Sequence, residues 1–525
     1  MKIKLFDLFR TYRRDTVAIL IIVLSVIAVF QWVPQTFFQQ DEWYFIGKYY
    51  LFRTDPSVLF RVVGNIHFVP LQQLWFFIQY YFFGFNSVWY GIVSVCCHAV
   101  VAILAYTLFR MLSFRTIPTC IGVAFFALNP VSSQVVSWPL AAMHGSTSMI
   151  CMLFACIIWM QALKKQSKKM SIIAGVLLFC AMLFKEDSVF GYMLIPVITY
   201  LFVPKRKMSY VPIIISFLIW FIMFISILLF GPKGHGFQIH RAIFDVVAYI
   251  TFIPQWMAKI IITHDSLRAV LQRFFGHYTI YLPIIDNDPF IKTVCTVIAE
   301  ICFFWYLITT ISGRLSIKKV FIFPFFVVLS IVPYFFSGSS GLESRYYFIP
   351  VFITGMWIAW YLDWVKKKKY VFISRFSSLV LFGLLIIFCF ANQPREDYLP
   401  SHEKRKIIVS AMQKVVKPSS ETVVYYIEHA DSLSFQSGIG EIFLVLQTQH
   451  DLIFSVYFTD YFLYRLYEEG YQKLGEKGFG YYSNSETLKS DINQGLFPAS
   501  AVRAYSFDKD TLQFRDITNQ YIESM

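Results

Sequence analysis

Apolar stretches of roughly 20 residues, each long enough to cross a bilayer as a helix, recur along this chain and limit its fold more than any other feature. "TVAILIIVLSVIAVFQWVP" (16–34) and "SYVPIIISFLIWFIMFISILLF" (209–230) are two of them. The composition agrees: 57% of the 525 residues are hydrophobic and only 15% charged, where soluble domains run near 45–50% and 25%. The ten-residue alternation of a membrane β-barrel is not visible. The sequence therefore predicts a polytopic α-helical membrane protein.

The net charge of +14 divides unevenly. Residues up to Asn392 hold 33 Lys and Arg against 14 Asp and Glu, whereas the final 133 hold 13 against 18. In a membrane protein such a basic excess marks cytosolic loops, so no nucleic-acid partner is expected. The nine cysteines all fall in or beside apolar segments, with no disulfide framework or zinc spacing. Five basic residues (Lys2, Lys4, Arg10, Arg13, Arg14) precede the first apolar run and no small-residue cleavage site follows it, which predicts an uncleaved first helix with a cytosolic N-terminus.

Applied along the chain, the positive-inside rule gives about eleven spans. They lie near 16–34, 88–109, 117–130, 146–163, 171–184, 189–203, 209–230, 291–312, 319–337, 347–364 and 371–391. Arg110 with Arg115, Lys164–Lys169, Lys205–Lys207, Arg314–Lys319 and Lys366–Arg375 then face the cytosol. "LQQLWFFIQYYFFG" (71–84) is too short to span and reads as an interfacial helix on the outer surface. "FDVVAYITFIPQWMAKIII" (244–262) reads as a twelfth span or a second interfacial helix. The outer loops are 35–87, 131–145, 231–290 and 338–346. Residues 1–392 form the transmembrane domain, and 393–525 a soluble extracytoplasmic α+β domain without repeats of fixed period. In that domain "ETVVYYIEH", "IFLVLQT", "AVRAYSF" and "LQFRDIT" read as strands, and "DYFLYRLYEEGYQKL" as helix.

Asp41 and Glu42 stand side by side in "FFQQDEWYFIGKYY" (37–50), just beyond the first span. Transporters place charges near the midplane on broken helices. An enzyme acting on a lipid-linked substrate needs its base at headgroup level, where Asp41 would lie. The alternative is that Asp41 caps a surface helix, with Glu42 beside its positive end. Glu300 in "VIAEICFF" is expected to have a polar partner. In the loop 231–290, His235, His240, His264, Asp265, His277, Asp286 and Asp288 show no repeating metal-ligand spacing. His98, inside the second apolar run, reads as a buried hydrogen-bonding histidine or a ligand.

These residues resemble a family. "QQDEWYFI" followed by "HFVPLQQLWFFIQYYFFGFNSVWYGIVSVCCHAVVAILAY" is similar to the opening of the GT-C membrane glycosyltransferases, in particular the protein O-mannosyltransferases and the TPR-carrying transmembrane O-mannosyltransferases. Asp41-Glu42, Pro70-Leu71, Gly84 and His98 take the places of that pattern's acidic pair, Pro-Leu, Gly and His. "FALNPVSSQVVSW" (126–138), "MLFKEDSVFGYMLIP" (182–196) and "ESRYYFIPVF" (343–352) resemble three further family stretches, the last two giving Lys185, Glu186, Arg345, Tyr346 and Pro350.

The resemblance implies an inverting transfer of a hexosyl or pentosyl group from a polyprenyl-phosphate-linked donor to a glycan, lipid or protein acceptor. Asp41 would act as base with Glu42 orienting it, and Arg345 and Lys185 would hold the donor phosphate. Glu186, His67, His98, Tyr346 and His144 are supporting positions. Arg345 has the alternative of snorkelling to headgroups, and Lys185 that of pairing with Glu186 or Asp187. The expected setting is a prokaryotic plasma membrane, multi-pass, with the C-terminal domain outside. This chain departs from the family at Ser132, Ser133, Gln134 and Met143–Ser146, where the second acid of the loop is missing; a divalent-metal site built on two carboxylates loses its basis there. Glu343 is displaced one place from Arg345 by Ser344. A non-catalytic scaffold, or a subunit that binds or transports lipid-linked sugars in envelope glycan assembly, is the competing reading.

Overall fold

The computed structural model describes residues 2–60, 67–203, 208–230, 260–261, 289–313, 317–335, 344–368, 370–394, 398–416, 422–428, 442–443, 446, 454–456 and 477–524. In chain order the helices are α1 (Lys2–Phe30), α2 (Gln40–Thr54), α3 (Pro70–Phe83), α4 (Ser87–Met111), α5 (Thr116–Ala127), α6 (Gln134–Ser137) and α7 (Pro139–Lys165). There follow α8 (Lys168–Phe184), α9 (Phe190–Phe202), α10 (Val211–Phe230), α11 (Pro289–Ser312), α12 (Ile317–Phe335), α13 (Phe348–Lys367) and α14 (Val371–Ala391). Beyond the last apolar segment come α15 (Tyr398–Val415), α16 (Ser485–Asn493) and α17 (Thr518–Glu523).

Each of the eleven apolar segments expected to span is helical over most of its described residues. Among the described residues four helical segments, Arg13–Gln35, α4, α7 and α13, are long and apolar enough to cross a membrane. Their outward faces are greasy rather than polar: Val17, Leu20, Ile21, Leu24 and Ile27 form an exposed stripe on α1 at helical spacing, the surface of a helix solvated by lipid. The chain is an integral membrane protein. α4, α7 and α13 each carry basic residues in the last turn, where cations complement the helix dipole. The 71–84 segment is helix α3, its first turn started by Pro70 and its end turned by Gly84 at φ 53°.

The chain divides into two compact units. The first comprises Met1–Val33, Gly91–Met223 and Phe237–Pro394. One end of it is braced by charge. Asp15 on α1 accepts from Tyr106 Oη at 2.7 Å and from Arg110 Nε at 3.0 Å and Nη2 at 3.2 Å, a forked pair that ties α1 to α4. Asp363 on α13 accepts the Arg115 backbone N–H at 3.1 Å and meets Lys367 Nζ at 2.5 Å. At the other end Asn392 Nδ2 donates to Leu128 O at 2.7 Å, and Trp32 Nε1 donates to Asn392 O at 2.9 Å, closing α14 on α5 and α1. Between them α5 and α13 cross at Gly122 and Gly355, whose backbones touch.

The second unit comprises Pro34–Tyr90, Phe224–Gly236 and Arg395–Met525. Its sheet has five strands, β1 (Val423–Glu428), β2 (Phe454–Val456), β3 (Lys477–Tyr482), β4 (Val502–Asp508) and β5 (Gln513–Asp516), in the order β2-β3-β1-β4-β5. All pairs are parallel except β4 with β5. β1 lies at the centre and is buried on both faces, hence its unbroken apolar run. Val424, Tyr426, Tyr482 and Val502 pack on one side with Leu488 of α16 and Tyr521 of α17. On the other side Phe443 stacks on Tyr425 with ring centroids 4.4 Å apart.

One strand expectation is overturned. Ile442, Phe443 and Leu446 of "IFLVLQT" are helical. They bury three apolar side chains at i, i+1 and i+4, one face of a helix rather than alternate faces of a strand. The expected helix at 460–474 lies outside the described residues, as does most of 244–262.

α15 joins the C-terminal part of this unit to its first-loop part. The Phe37 backbone N–H donates to His402 Nδ1 at 2.9 Å, and the His402 ring lies 4.5 Å from that of Tyr398. Burial, with Arg405 nearby, pushes the His402 imidazole down to about 4 from 6.5. Between those two pH values the unfolded chain binds the proton and the folded one does not, so stability rises with pH across the window. The contribution is complete above 6.5 and lost as pH falls toward 4. Lowering the pH from neutral to about 5 is therefore expected to reduce the unfolding midpoint of the wild type more than that of His402→Asn, read by thermal unfolding of the solubilised protein.

Candidate active site

The residues marked by the sequence fall into two groups, one in each unit. In the first unit the loop expected over 131–145 is largely folded. Asn129 caps a short turn at Pro130–Ser132 through Val131 N–H, 3.0 Å from its Oδ1. α6 follows, and α7 already begins at Pro139, because proline at the first helical position loses no hydrogen bond. His144 is thus a helical residue with Ser148 one turn further on, rather than a loop residue before a helix at 146.

α8 ends at Phe184, and Lys185 is extended (φ −161°, ψ 131°), so the chain turns sharply into the 3-10 segment Glu186–Val189. A second such segment, Ser344–Tyr347, leads directly into α13 and packs against α6 and the Pro130–Ser132 turn. These pieces enclose a small cleft lined by His144, Ser148, Lys185, Asp187 and Tyr346 over an apolar base of Met149 and Ile349. Three of the singled-out residues therefore meet: Lys185, His144 and Tyr346. Glu186 is adjacent in sequence but does not line the cleft. The expected alternative of a Lys185 pair with Glu186 or Asp187 does not occur: among the described residues Lys185 forms no ion pair. A lysine ammonium with three donors and no carboxylate on it suits a phosphate oxygen. Asp187, which also lines the cleft, had no sequence signal beyond its place near Lys185. Arg345 sits in the Ser344–Tyr347 segment; its side chain lies outside the described residues.

His98 is away from this cleft. It is 1% exposed on α4, with Nε2 2.8 Å from Ala127 O and its ring edge-on to Phe30, the setting of a structural histidine that ties α4 to the end of α5. Glu300 is a correction of another kind. It was expected to have a polar partner, yet it lies exposed on α11 and makes no hydrogen bond or ion pair among the described residues, because that face of α11 is the outward one that also bears Ile301 and Phe304.

In the second unit Asp41 is the second residue of α2, inside the first turn and not at the cap; its side chain lies outside the described residues. Glu42 carries the local cap. Its Oε2 accepts the Gln39 backbone N–H at 2.8 Å, half of a capping box. Glu42 is 0% exposed, and its neighbour Trp43 forms an aromatic cluster with Phe37 and Phe38. Two cations of this unit escaped the sequence reading. Lys48 is 0% exposed, with Nζ 5.2 Å from the Tyr44 ring centre. Arg405 on α15 lies in the field of Glu42. Lys48 had no sequence signal, since one lysine in an aromatic helix reads as surface; Arg405 sits in a basic helix that reads as solvated. His67 is half-buried ahead of α3.

The histidines and acids of the loop 231–290 lie outside the described residues. Among the described residues, no three His, Cys, Asp or Glu side chains come together as a metal site.

The arrangement of apolar helices and intervening loops is one that solved membrane-protein structures share. The chain matches ArnT from Cupriavidus metallidurans bound to undecaprenyl phosphate with TM-score 0.50 at 11% identity, over 94% of this chain and 93% of that one. ArnT from the same organism in the apo state matches with TM-score 0.48 at 12% identity, over 95% and 94%. An Archaeoglobus fulgidus oligosaccharyltransferase complex with Zn and sulfate matches with TM-score 0.44 at 11% identity, over 82% of this chain and 61% of that one. No family model and no curated protein sequence matches the chain.

Proposed function

We propose that this protein is a glycosyltransferase that moves a sugar from a polyprenyl-phosphate-linked donor to an acceptor at the extracytoplasmic face of its membrane. The observation that carries this reading is the Lys185 ammonium, without an ion pair among the described residues, in a cleft shared with His144, Ser148 and Tyr346. The fold supports it, since it is shared with a protein solved bound to undecaprenyl phosphate. In the reaction an acceptor hydroxyl oxygen attacks the anomeric carbon as the bond from that carbon to the phosphate oxygen breaks, inverting the centre. The hydroxyl proton passes to Asp41, and the negative charge left on the lipid phosphate is met by Lys185 and Arg345.

Basic residues at the last turns of α4, α7 and α13 support a cytosolic position for those ends, and with them for the N-terminus. The carboxylate missing from the 131–145 stretch has a counterpart in Asp187, which favours an enzyme over a scaffold.

Lys185→Ala is expected to weaken binding of undecaprenyl phosphate by roughly ten- to a hundredfold, the worth of one charged hydrogen bond, while Lys185→Arg keeps most of it. The check is titration of purified protein with that lipid, beside transfer of labelled sugar from a panel of polyprenyl-phosphate donors. Unchanged affinity in Lys185→Ala would remove the cleft as the phosphate site. Donor binding without transfer to any acceptor offered would favour the scaffold reading.

A further inference from the structure

α15 carries two side chains that the reaction above leaves unused, His402 and Arg405. His402, 1% exposed, has Nδ1 at 2.9 Å from Phe37 N and 3.1 Å from Phe37 O. The neutral ring accepts the N–H, which leaves the proton on Nε2. Phe37 lies three residues ahead of Gln40, where α2 begins, and the intervening Gln39 N–H is already held by Glu42. The chain leading into the acidic pair is therefore held at two points, one local and one supplied from 365 residues away. Arg405 lies one turn beyond His402 on the same face of α15. It forms no ion pair among the described residues, and of the acids it is Glu42 whose charge reaches it.

We propose that α15 is a positioning element for the catalytic acid: His402 clasps the backbone at Phe37 so that the first turn of α2 presents Asp41 in one place. This rests on the transferase reading of Asp41. The C-terminal part of the chain then contributes to the chemistry itself. Misplacing a reacting group by about 1 Å can cost a hundredfold in rate without loss of substrate binding, which is the effect a loosened clasp would have.

The test uses three substitutions in the full chain. His402→Asn keeps an acceptor oxygen near the place of Nδ1, His402→Gln carries its amide on to the place of Nε2, and His402→Ala has neither. Hydrogen exchange over residues 37–42 and turnover with labelled undecaprenyl-phosphate sugars are measured on each. The expected result is faster exchange and a roughly ten- to hundredfold fall in kcat for Ala and Gln, with donor KM held within about twofold and both properties restored in Asn. A merely stabilising histidine would show no such rescue pattern. Exchange unchanged in all three variants, or Asn failing like Ala, overturns the proposal. Should the wild type transfer no sugar, the transferase reading falls, and the exchange pattern alone decides whether the clasp exists.

Discussion

Asp41→Asn is expected to lower sugar transfer by roughly 10²–10⁴-fold while donor binding stays as in the wild type. The reason is local. Asp41 lies within the first turn of α2, and the start of that helix is already closed by Glu42, which takes the Gln39 N–H. Asparagine at this place keeps size and polarity, so the helix has no cause to unwind, whereas the base for the acceptor proton is gone. The donor phosphate, assigned to Lys185 and Arg345, does not depend on it. Transfer of labelled sugar and titration with undecaprenyl phosphate, run side by side, separate the two. Retained turnover in Asp41→Asn would reduce the residue to a first-turn acid that favours the helix dipole, worth about 0.3–1 kcal/mol.

Gly355→Val is expected to prevent accumulation of folded protein, and Gly355→Ala to destabilise it by about 1–3 kcal/mol, the usual cost of overpacking. A Cβ at Gly355 would collide with the backbone oxygen of Gly122, and one at Gly122 with that of Gly355 and with Ala359 Cβ at 2.8 Å. Neither obstacle is the end of a flexible side chain, so the helices α5 and α13 must part. In lipid their association rests on close packing between small residues, and parting them forfeits it. α13 starts directly after the segment that carries Tyr346, so its displacement also disturbs the Lys185 cleft. Gly383 on α14 is the control: nothing lies within 4 Å of its added Cβ, and Gly383→Ala is expected to be neutral or mildly stabilising. Yield of monodisperse protein and its thermal midpoint decide both cases.

The acids and the cleft residues were visible in the sequence for different reasons than they turned out to matter. Lys185 stood out through its resemblance to a family stretch, but its companions in the cleft come from α7 and from the segment before α13. Pro139 was the signal that α7 starts early, but the sequence reading left 131–145 as loop and began the helix at 146. β3 went unseen because "KGFGYY" holds two glycines, which weaken strand propensity; only pairing on both sides makes it a strand. The helical residues Ile442, Phe443 and Leu446 were taken for part of a strand because a short apolar run has no length to distinguish the two.

Hydropathy was enough to establish a helical membrane protein and to mark the apolar segments that the structure shows as helices. It is a local property: hydropathy over about 20 residues acts wherever the segment happens to pack. It took the packed chain to leave Lys185 without an ion pair among the described residues, to tie His98 to the end of α5, to bury Glu42 and Lys48 fully, and to bring His402 to Phe37. Each of those depends on contacts between residues far apart in the chain, and such contacts are set by how whole helices pack, which no window of sequence contains.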